Sequence, residues 1–246
     1  MQFFKPVNTI KAITFDLDDT LYNNDPIIRQ ADAALNAHLQ RHYPKAAALS
    51  PEQWQQLKRD AIAANPSLSS DMGKLRLIVL KAALANDING TTSQDCADDE
   101  LEKAAIECFN CFYTARSEFE LAQEVHDTLL ALSNQLPLIG ITNGNVDPEK
   151  IGLAPYFNVI LHASTSRPMK PARAMFDEAA DILGIEPKNI LHVGDNMAKD
   201  IYGAINAGFQ SAWFACNREM HLPRESVSVL PHVVLEHLDE LRYFCE

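Results

Sequence analysis

The feature that most constrains this chain is a short apolar run that leads directly into a cluster of aspartates. Residues 12–15 are mostly apolar, and Asp16, Asp18 and Asp19 follow at once. Because apolar and polar side chains do not alternate in this run, it predicts a β-strand that is covered on both faces. The aspartates then lie at the carboxyl end of the strand, where open α/β sheets bind ligands. Neighbouring carboxylates repel one another, so the cluster favours a hard divalent cation with oxygen ligands.

The second half of the chain alternates between predicted helices and predicted strands. From residue 121 onward, apolar runs of strand length are separated by longer helical patterns. Such repeated strand–helix units imply a parallel, doubly wound sheet, so the predicted fold class is α/β. Strands are predicted at 137–142, 157–162, 189–195 and 210–215, with a short edge strand at 232–234. Helices are predicted at 122–134, 171–183 and 197–207, with a last helix near 235–244.

The segment between the first strand and the alternating region has helical patterns only. Helices are predicted at 27–43, 51–64, 71–85 and 98–117, with a polar loop before the last of them. We therefore predict two domains. An α/β core comprises residues 1–23 and 119–246, and an all-helical domain at 24–118 is inserted into it.

Composition and charge limit the classes of function. The 246-residue chain carries a net charge of −12, and binding to a nucleic-acid backbone needs clustered basic residues, so we expect no nucleic-acid partner. The five cysteines are odd in number and scattered, which favours a reduced protein without a disulfide framework. The amino terminus lacks a secretion-signal pattern, and no apolar run is long enough to span a bilayer. We expect a cytoplasmic protein, either a monomer or a homodimer.

Polar residues at the ends of three predicted strands, together with one lysine before a helix, form a candidate site. Because the carboxyl ends of parallel strands lie along one edge of a sheet, we expect these side chains to meet. The set contains what phosphoryl transfer through an aspartate needs. Its members are Asp16, Asp18, Thr142, Asn143, Lys170 and Asp195.

The residue types predict a role for most members of this set. Asp16 is the predicted nucleophile, because a carboxylate is ionised at neutral pH and needs no base to activate it. Asp18 would donate a proton to the departing alkoxide and later accept one from the attacking water. Lys170 would neutralise the phosphoryl oxygens, and Thr142 would bind a further oxygen. Thr20 would hold Asp18 through a hydroxyl hydrogen bond.

Two of the aspartates are the predicted metal ligands. Asp16 and Asp195 would hold Mg²⁺, which also bridges the phosphate of the substrate. The predicted substrate contacts come from Thr142, Asn143, Lys170 and Thr20. The predicted partner is therefore a small-molecule phosphomonoester.

Four motifs of this chain resemble those of the haloacid dehalogenase superfamily and occur in that family's order. They are Asp-Leu-Asp-Asp-Thr from Asp16, then Thr142-Asn143, then Lys170-Pro171, and finally Gly194-Asp195 with Asp200. The helical insertion after the first motif resembles the type-1 cap of that family. The motifs and the insertion together cover almost the whole chain.

The resemblance implies Mg²⁺-dependent phosphatase activity through an aspartyl-phosphate. It also implies that the backbone carbonyl of Asp18 is a metal ligand and that Asp200 lies just outside the ligand set, paired with Lys170. Three runs, at 14–22, 141–145 and 190–195, resemble more closely a bacterial branch of the family. That branch dephosphorylates FMN and 5-amino-6-(5-phospho-D-ribitylamino)uracil, which are therefore the expected substrates.

Several alternatives remain open from the sequence. Another metabolite, such as a nucleotide or a sugar phosphate, is an alternative substrate. Dehalogenases of the family lack the second aspartate, so Asp18 argues for phosphate rather than a 2-haloacid. A signalling receiver domain would need an aspartate at the end of the strand near 157–162, where none occurs. A non-catalytic phosphate-binding protein is the remaining alternative.

Three further residues are interpreted without a catalytic role. His192 lies inside a predicted strand and is interpreted as a packed histidine rather than a ligand. Arg76 and Arg116 lie on predicted helices, and both are interpreted as solvated rather than as substrate contacts.

Overall fold

The computed structural model describes residues 1–88, 94–226 and 229–245 and divides the chain into two compact units. The first, called here the core unit, comprises Met1–Asn24, Glu120–Gly144 and Pro148–Glu246. The second, called the helical unit, comprises Asp25–Phe119 together with Asn145–Asp147. None of the described helices combines the length and the hydrophobicity that crossing a membrane requires.

The described part of residues 24–118 is helical and contains no strand. Its helices are α1 (Asn24–His42), α2 (Pro44–Ala47), α3 (Pro51–Ala64), α4 (Met72–Ile88) and α5 (Gln94–Arg116). The bounds of α3 agree with the prediction because Ser50 caps it in a reciprocal capping box with Gln53. Part of the predicted loop before α5 lies outside the described residues, and α5 begins earlier than predicted. A buried cluster that includes Leu80, Leu84 and Phe112 joins these helices.

The core unit is built on a seven-stranded sheet. Its strands are β1 (Gln2–Phe3), β2 (Ala12–Phe15), β3 (Leu138–Thr142), β4 (Val159–His162), β5 (Ile190–Gly194), β6 (Gln210–Trp213) and β7 (Val233–Val234). The strand order is β1-β7-β6-β5-β2-β3-β4, and every pairing is parallel except that of β1 with β7. The predicted α/β class with a mostly parallel sheet is confirmed.

Two details of the predicted sheet are wrong. The short strand near residue 233 is not an edge strand, because β1 pairs with its outer side. The strand β1 itself was missed, since two exposed residues carry no periodic pattern. By contrast, every residue of β2, β3 and β5 is buried, which explains why these strands read as continuous apolar runs.

The first two α-helices of the core unit begin within three residues of the predicted positions, and the third does not. The α-helices are α6 (Gln123–Ser133), α7 (Ala174–Leu183) and α8 (Gly203–Asn206). The 3₁₀ helices are Ala154–Tyr156, Pro187–Asn189, Leu222–Arg224 and Leu238–Cys245. The single helix predicted at 197–207 is instead a π-helical turn, Met197–Tyr202, followed by α8. Asn196 caps this turn by accepting from the amides of Ala198 and Lys199. Asp200 lies in this turn, close to Gly194 at the end of β5, and belongs to the site described next.

Candidate active site

The ends of three neighbouring strands bring the predicted acids together. β2 lies between β3 and β5, and all three run in the same direction. Carboxylate oxygens of Asp16, Asp195 and Asp200 lie within 4.8 Å of one another. The convergence of Asp16 and Asp195, which the sequence predicted from parallel strand ends, is therefore present, and Asp200 joins them.

Lys170 is buried at the centre of this group, with 1% of its surface exposed. Its Nζ lies 2.7 Å from Oδ1 of Asp16 and 2.7 Å from Oδ1 of Asp200. The ammonium also donates to the backbone carbonyl of Ile141 at 2.5 Å. An ammonium group has three N–H donors, so these contacts use all of them and fix its position.

The motif Thr142-Asn143 supports the segment that carries Lys170. Asn143 Oδ1 accepts from the amide of Lys170 at 2.8 Å, and Asn143 Nδ2 donates to the carbonyl of Lys170 at 3.1 Å. Thr142 Oγ1 accepts from the amide of Gly144 at 2.9 Å, and the residue is 1% exposed. Both side chains thus make local contacts that shape the site. That they also contact substrate stays a prediction.

The predicted hydrogen bond between Thr20 and Asp18 is wrong. The hydroxyl of Tyr22 donates to Oδ1 of Asp18 at 2.7 Å instead. Thr20 Oγ1 is buried and has no hydrogen-bond partner among the described residues. Between them, Asp19 adopts a left-handed conformation with φ of 63°. This tight turn explains the difference, because it brings the backbone at Tyr22 back beside Asp18.

The last residue of β6 and the loop after it hold the backbone of both acidic turns, which sequence reasoning missed. Trp213 Nε1 donates to the carbonyl of Asp195 at 2.7 Å, and Arg218 donates to the same carbonyl at 2.9 Å. The amide of Cys216 donates to the carbonyl of Asp19 at 2.9 Å. These contacts fix the acids through backbone carbonyls. Because every residue type has a backbone carbonyl, the residue pattern of the acidic motifs does not predict them.

Burial and neighbouring charges shift the pKa values of several groups in the site. Burial raises the pKa of Asp195 to about 7. Burial likewise raises the pKa of Asp16 well above its usual range, although Lys170 partly offsets the effect. Burial opposes the charge of Lys170, but Asp16 and Asp200 outweigh it and raise the lysine pKa. One ammonium thus lies among three carboxylates. The carboxylate oxygens of Asp16 and Asp195 suit a hard divalent cation such as Mg²⁺.

Asp200 differs from the other two acids because both of its oxygens already have partners. Oδ1 is 2.7 Å from Lys170 Nζ and 3.3 Å from His192 Nε2, and Oδ2 accepts from the amide of Asn196 at 3.0 Å. Burial opposes ionisation of Asp200, but Lys170 and His192 outweigh it and lower its pKa. Gly194 is required here, since a Cβ at that position would lie 2.4 Å from the Cβ of Asp200.

The two arginines considered from the sequence lie within the helical unit. Arg116 is 2% exposed and donates to Oδ1 of Asn145 at 3.2 Å, so its interpretation as a solvated residue is wrong. The guanidinium of Arg76 lies 3.4 Å from the ring centroid of Phe112 and 3.6 Å from a carboxylate oxygen of Asp32. Arg76 also lines a cavity of about 410 Å³ between α1, α3 and α4.

Comparison with known proteins supplies the family. Residues 10–208 match the family described as haloacid dehalogenase-like hydrolase. The chain is 33% identical over 241 residues to the 5-amino-6-(5-phospho-D-ribitylamino)uracil phosphatase YigB of Escherichia coli, covering 98% of each chain. It is 26% identical over 245 residues to the human N-acylneuraminate-9-phosphatase, covering 96% of this chain and 93% of that one.

A solved structure with similar overall architecture carries a different name. It is described as a 2-haloacid dehalogenase from Pseudomonas syringae pv. Tomato DC3000, with a TM-score of 0.86 and 33% identity. The match covers 96% of this chain and 97% of that chain. The family match spans most of the sequence, and two of these proteins are 33% identical to it over nearly their whole length. This chain therefore belongs to the haloacid dehalogenase-like hydrolase family.

Proposed function

We propose that this protein is a Mg²⁺-dependent phosphatase that hydrolyses a small phosphomonoester through an aspartyl-phosphate. Its enzyme class is phosphoric monoester hydrolase. The observation that carries the proposal is the position of Lys170, whose ammonium lies 2.7 Å from both Asp16 and Asp200. A buried cation beside a carboxylate at the end of a parallel strand suits an incoming phosphoryl group. One proposed substrate is 5-amino-6-(5-phospho-D-ribitylamino)uracil, which the name of the Escherichia coli relative supports. The other is FMN, which the resemblance of the runs at 14–22, 141–145 and 190–195 supports.

In the first step, a carboxylate oxygen of Asp16 attacks phosphorus. A bond forms between Asp16 and phosphorus as the bond from phosphorus to the ester oxygen breaks. Asp18 gives its proton to the departing alkoxide, so the alcohol leaves neutral. The hydroxyl of Tyr22, which donates to Oδ1 of Asp18 at 2.7 Å, orients this carboxyl group.

In the second step, water attacks the phosphorus of the aspartyl-phosphate. Asp18, now ionised, takes a proton from the water while the bond between Asp16 and phosphorus breaks. Inorganic phosphate is released, and both aspartates return to their starting protonation states. Lys170 balances the charge on the phosphoryl oxygens throughout, and Asp200 holds Lys170 in place.

The proposed metal ligands are the carboxylates of Asp16 and Asp195 and the backbone carbonyl of Asp18. Bound there, Mg²⁺ would supply the positive charge that the phosphate and the acids need. Asp200 is excluded from our ligand set because Lys170, His192 and a backbone amide already occupy its oxygens. We also propose that residues 1–23 and 119–246 form the catalytic core and that residues 24–118 form a type-1 cap.

A second candidate function is 2-haloacid dehalogenation, which the similarity to the Pseudomonas syringae structure favours. Our proposal disfavours it because Asp18 is present and is held by Tyr22. Dehalogenation needs no proton donor for a halide leaving group, whereas an alkoxide must be protonated. Halide release from 2-chloropropionate by the purified protein would support the second candidate.

The test is a phosphate-release panel at neutral pH with Mg²⁺. It includes p-nitrophenyl phosphate, FMN, the ribitylaminouracil phosphate, nucleotides and sugar phosphates. We expect the highest kcat/KM with one of the two ribityl phosphates. Asp16→Asn should reduce phosphate release by at least about 10³-fold, since the nucleophile is removed. Asp181→Asn, which changes an exposed acid on α7, is the matched control and should leave the rate unchanged. Full activity in Asp16→Asn would overturn the mechanism.

A further inference from the structure

His192 is buried in the middle of the core unit and makes two polar contacts. It lies in β5 with none of its surface exposed. Its Nδ1 is 2.8 Å from Thr14 Oγ1, and its Nε2 is 3.3 Å from Asp200 Oδ1. The sequence predicted a packed histidine, which its burial confirms, but packing alone does not explain a histidine in an otherwise apolar strand.

The partners of His192 define which ring nitrogen carries the proton. An ionised carboxylate only accepts hydrogen bonds, so Nε2 carries the hydrogen and donates to Asp200. In a neutral ring Nδ1 then has no hydrogen and accepts from the hydroxyl of Thr14. Burial lowers the pKa of His192, which agrees with a neutral ring. Each polar atom of the ring therefore has one complementary partner.

The surroundings of His192 hold the ring in a single orientation. Thr14 and His192 face each other in the register of β2 and β5. The ring of Phe176 meets the imidazole edge-on, with 5.0 Å between ring centroids and 83° between planes. Thr14 and Phe176 are both buried, so the imidazole is a rigid donor aimed at Asp200.

We propose that His192 is a positioning residue that holds Asp200 and thereby places Lys170 against Asp16. This inference rests on the proposed role of Lys170 in phosphoryl transfer. Oδ1 of Asp200 receives His192 on one side and Lys170 on the other. Without the histidine, the position of that oxygen depends on the lysine itself and on the single bond from Asn196 to Oδ2. A buried hydrogen-bonded network therefore aligns the ammonium of Lys170 with the carboxylate of Asp16. It runs through Thr14, His192, Asp200, Lys170 and Asp16.

The kinetic test compares substitutions that remove or keep the donor of His192. His192→Leu removes it, and we expect kcat to fall by about 10- to 100-fold while KM changes less than about threefold, as for other buried groups that orient a catalytic side chain. His192→Gln keeps an N–H donor and should recover most of the lost activity. Thr14→Val leaves the donor but removes the bond that fixes the ring, so a smaller loss is expected. His232→Leu, at a half-buried histidine that is not part of this hydrogen-bonded network, is the matched control.

A spectroscopic measurement tests the arrangement without any substrate. In ¹⁵N-histidine NMR spectra of the wild-type protein, His192 should give a neutral ring protonated at Nε2, with slow exchange of that proton. A ring protonated at Nδ1, or a charged ring, would overturn the inference even if the protein proves to be a phosphatase. If no phosphate ester is hydrolysed, the proposed function fails, but the NMR result still decides whether the hydrogen-bonded network exists.

The folding of each variant determines which of the kinetic comparisons can be interpreted. If His192→Leu does not fold, His192→Gln and Thr14→Val, which keep a polar group or nearly the same volume, carry the test. Equal kcat in the wild-type protein and in a folded His192→Leu variant would refute the positioning role. A similar loss of kcat in His232→Leu would also refute it, because the effect would then not be specific to His192.

Discussion

The ammonium of Lys170 lies 2.7 Å from Oδ1 of Asp16, and both groups are almost completely shielded from solvent. Removing two charges from water is costly, and close contact repays that cost only when the remaining hydrogen bonds are also satisfied. Here Asp200 and the carbonyl of Ile141 take up the other donors of the ammonium. The proposed nucleophile and the proposed phosphate-binding cation are therefore in fixed contact before substrate binds.

Replacement of Lys170 should damage both stability and activity. Lys170→Met leaves Asp16 and Asp200 buried without their common cation, and removing one partner of a buried pair costs about 3 kcal/mol or more. We expect a lower melting temperature and a loss of kcat/KM of at least about 10²-fold, because a charge that stabilises the phosphoryl group is gone. Lys188→Met, at a side chain that is 64% exposed, should change neither quantity. Wild-type kcat/KM in Lys170→Met would exclude the lysine from the mechanism.

Asn143 should act through the position of Lys170 rather than through substrate. Asn143→Ala removes both bonds between its amide group and the Lys170 backbone. We expect kcat to fall by about 10- to 100-fold, because small displacements of a catalytic group are costly. Steady-state kinetics should show the loss mainly in kcat, and Asn206→Ala, at an exposed position on α8, should have none. A pure increase in KM would instead indicate that Asn143 binds substrate.

The metal-free protein should lose stability as the pH rises. A carboxyl in an unfolded chain has a pKa of about 3.9, whereas that of Asp195 in the folded protein is raised to about 7. A raised carboxyl pKa means that the folded state binds the proton more tightly, so the stabilisation is complete below the unfolded pKa. It is lost as the pH rises through about 7.

Asp195→Asn isolates this contribution, because an amide does not titrate. In EDTA at pH 8, the variant should have a higher melting temperature than the wild-type protein, and the difference should shrink toward pH 4.5. Added Mg²⁺ should raise the melting temperature of the wild-type protein more than that of the variant, since Asp195 is a proposed ligand. An equal response of the two proteins to Mg²⁺ would remove Asp195 from the ligand set.

Gly194 should not tolerate a side chain. In Gly194→Ala the new Cβ would lie 2.4 Å from Cβ of Asp200, so the carboxylate must move away from Lys170. We expect a loss of stability of about 1–3 kcal/mol, as for other overpacked sites, and a lower kcat. Gly73→Ala is the control, because the nearest atom to its new Cβ would be 3.6 Å away. Thermal melts and phosphate release measure both effects, and an active, stable Gly194→Ala would contradict the close approach.

The architecture was predictable because it depends on patterns that many residues share. The apolar runs of β2, β3 and β5 carried enough signal to identify buried parallel strands, and every residue in them is indeed buried. The prediction missed short elements such as β1, because a strand of two residues has no periodic pattern. The π-helical turn at Met197–Tyr202 was also not predicted, because its residue pattern is that of an α-helix.

The sequence by itself determined that Asp16 and Asp195 converge, because parallel strands end at one edge of a sheet whatever their exact bounds. Only the tertiary structure decided which neighbours hold each acid. Tyr22 rather than Thr20 donates a hydrogen bond to Asp18. His192 in β5 contacts Asp200 in the turn that follows this strand. Hydrogen bonds depend on distances of tenths of an ångström and on side-chain directions. Residue order does not specify these quantities until the turn at Asp19 and the packing of β5 fix them.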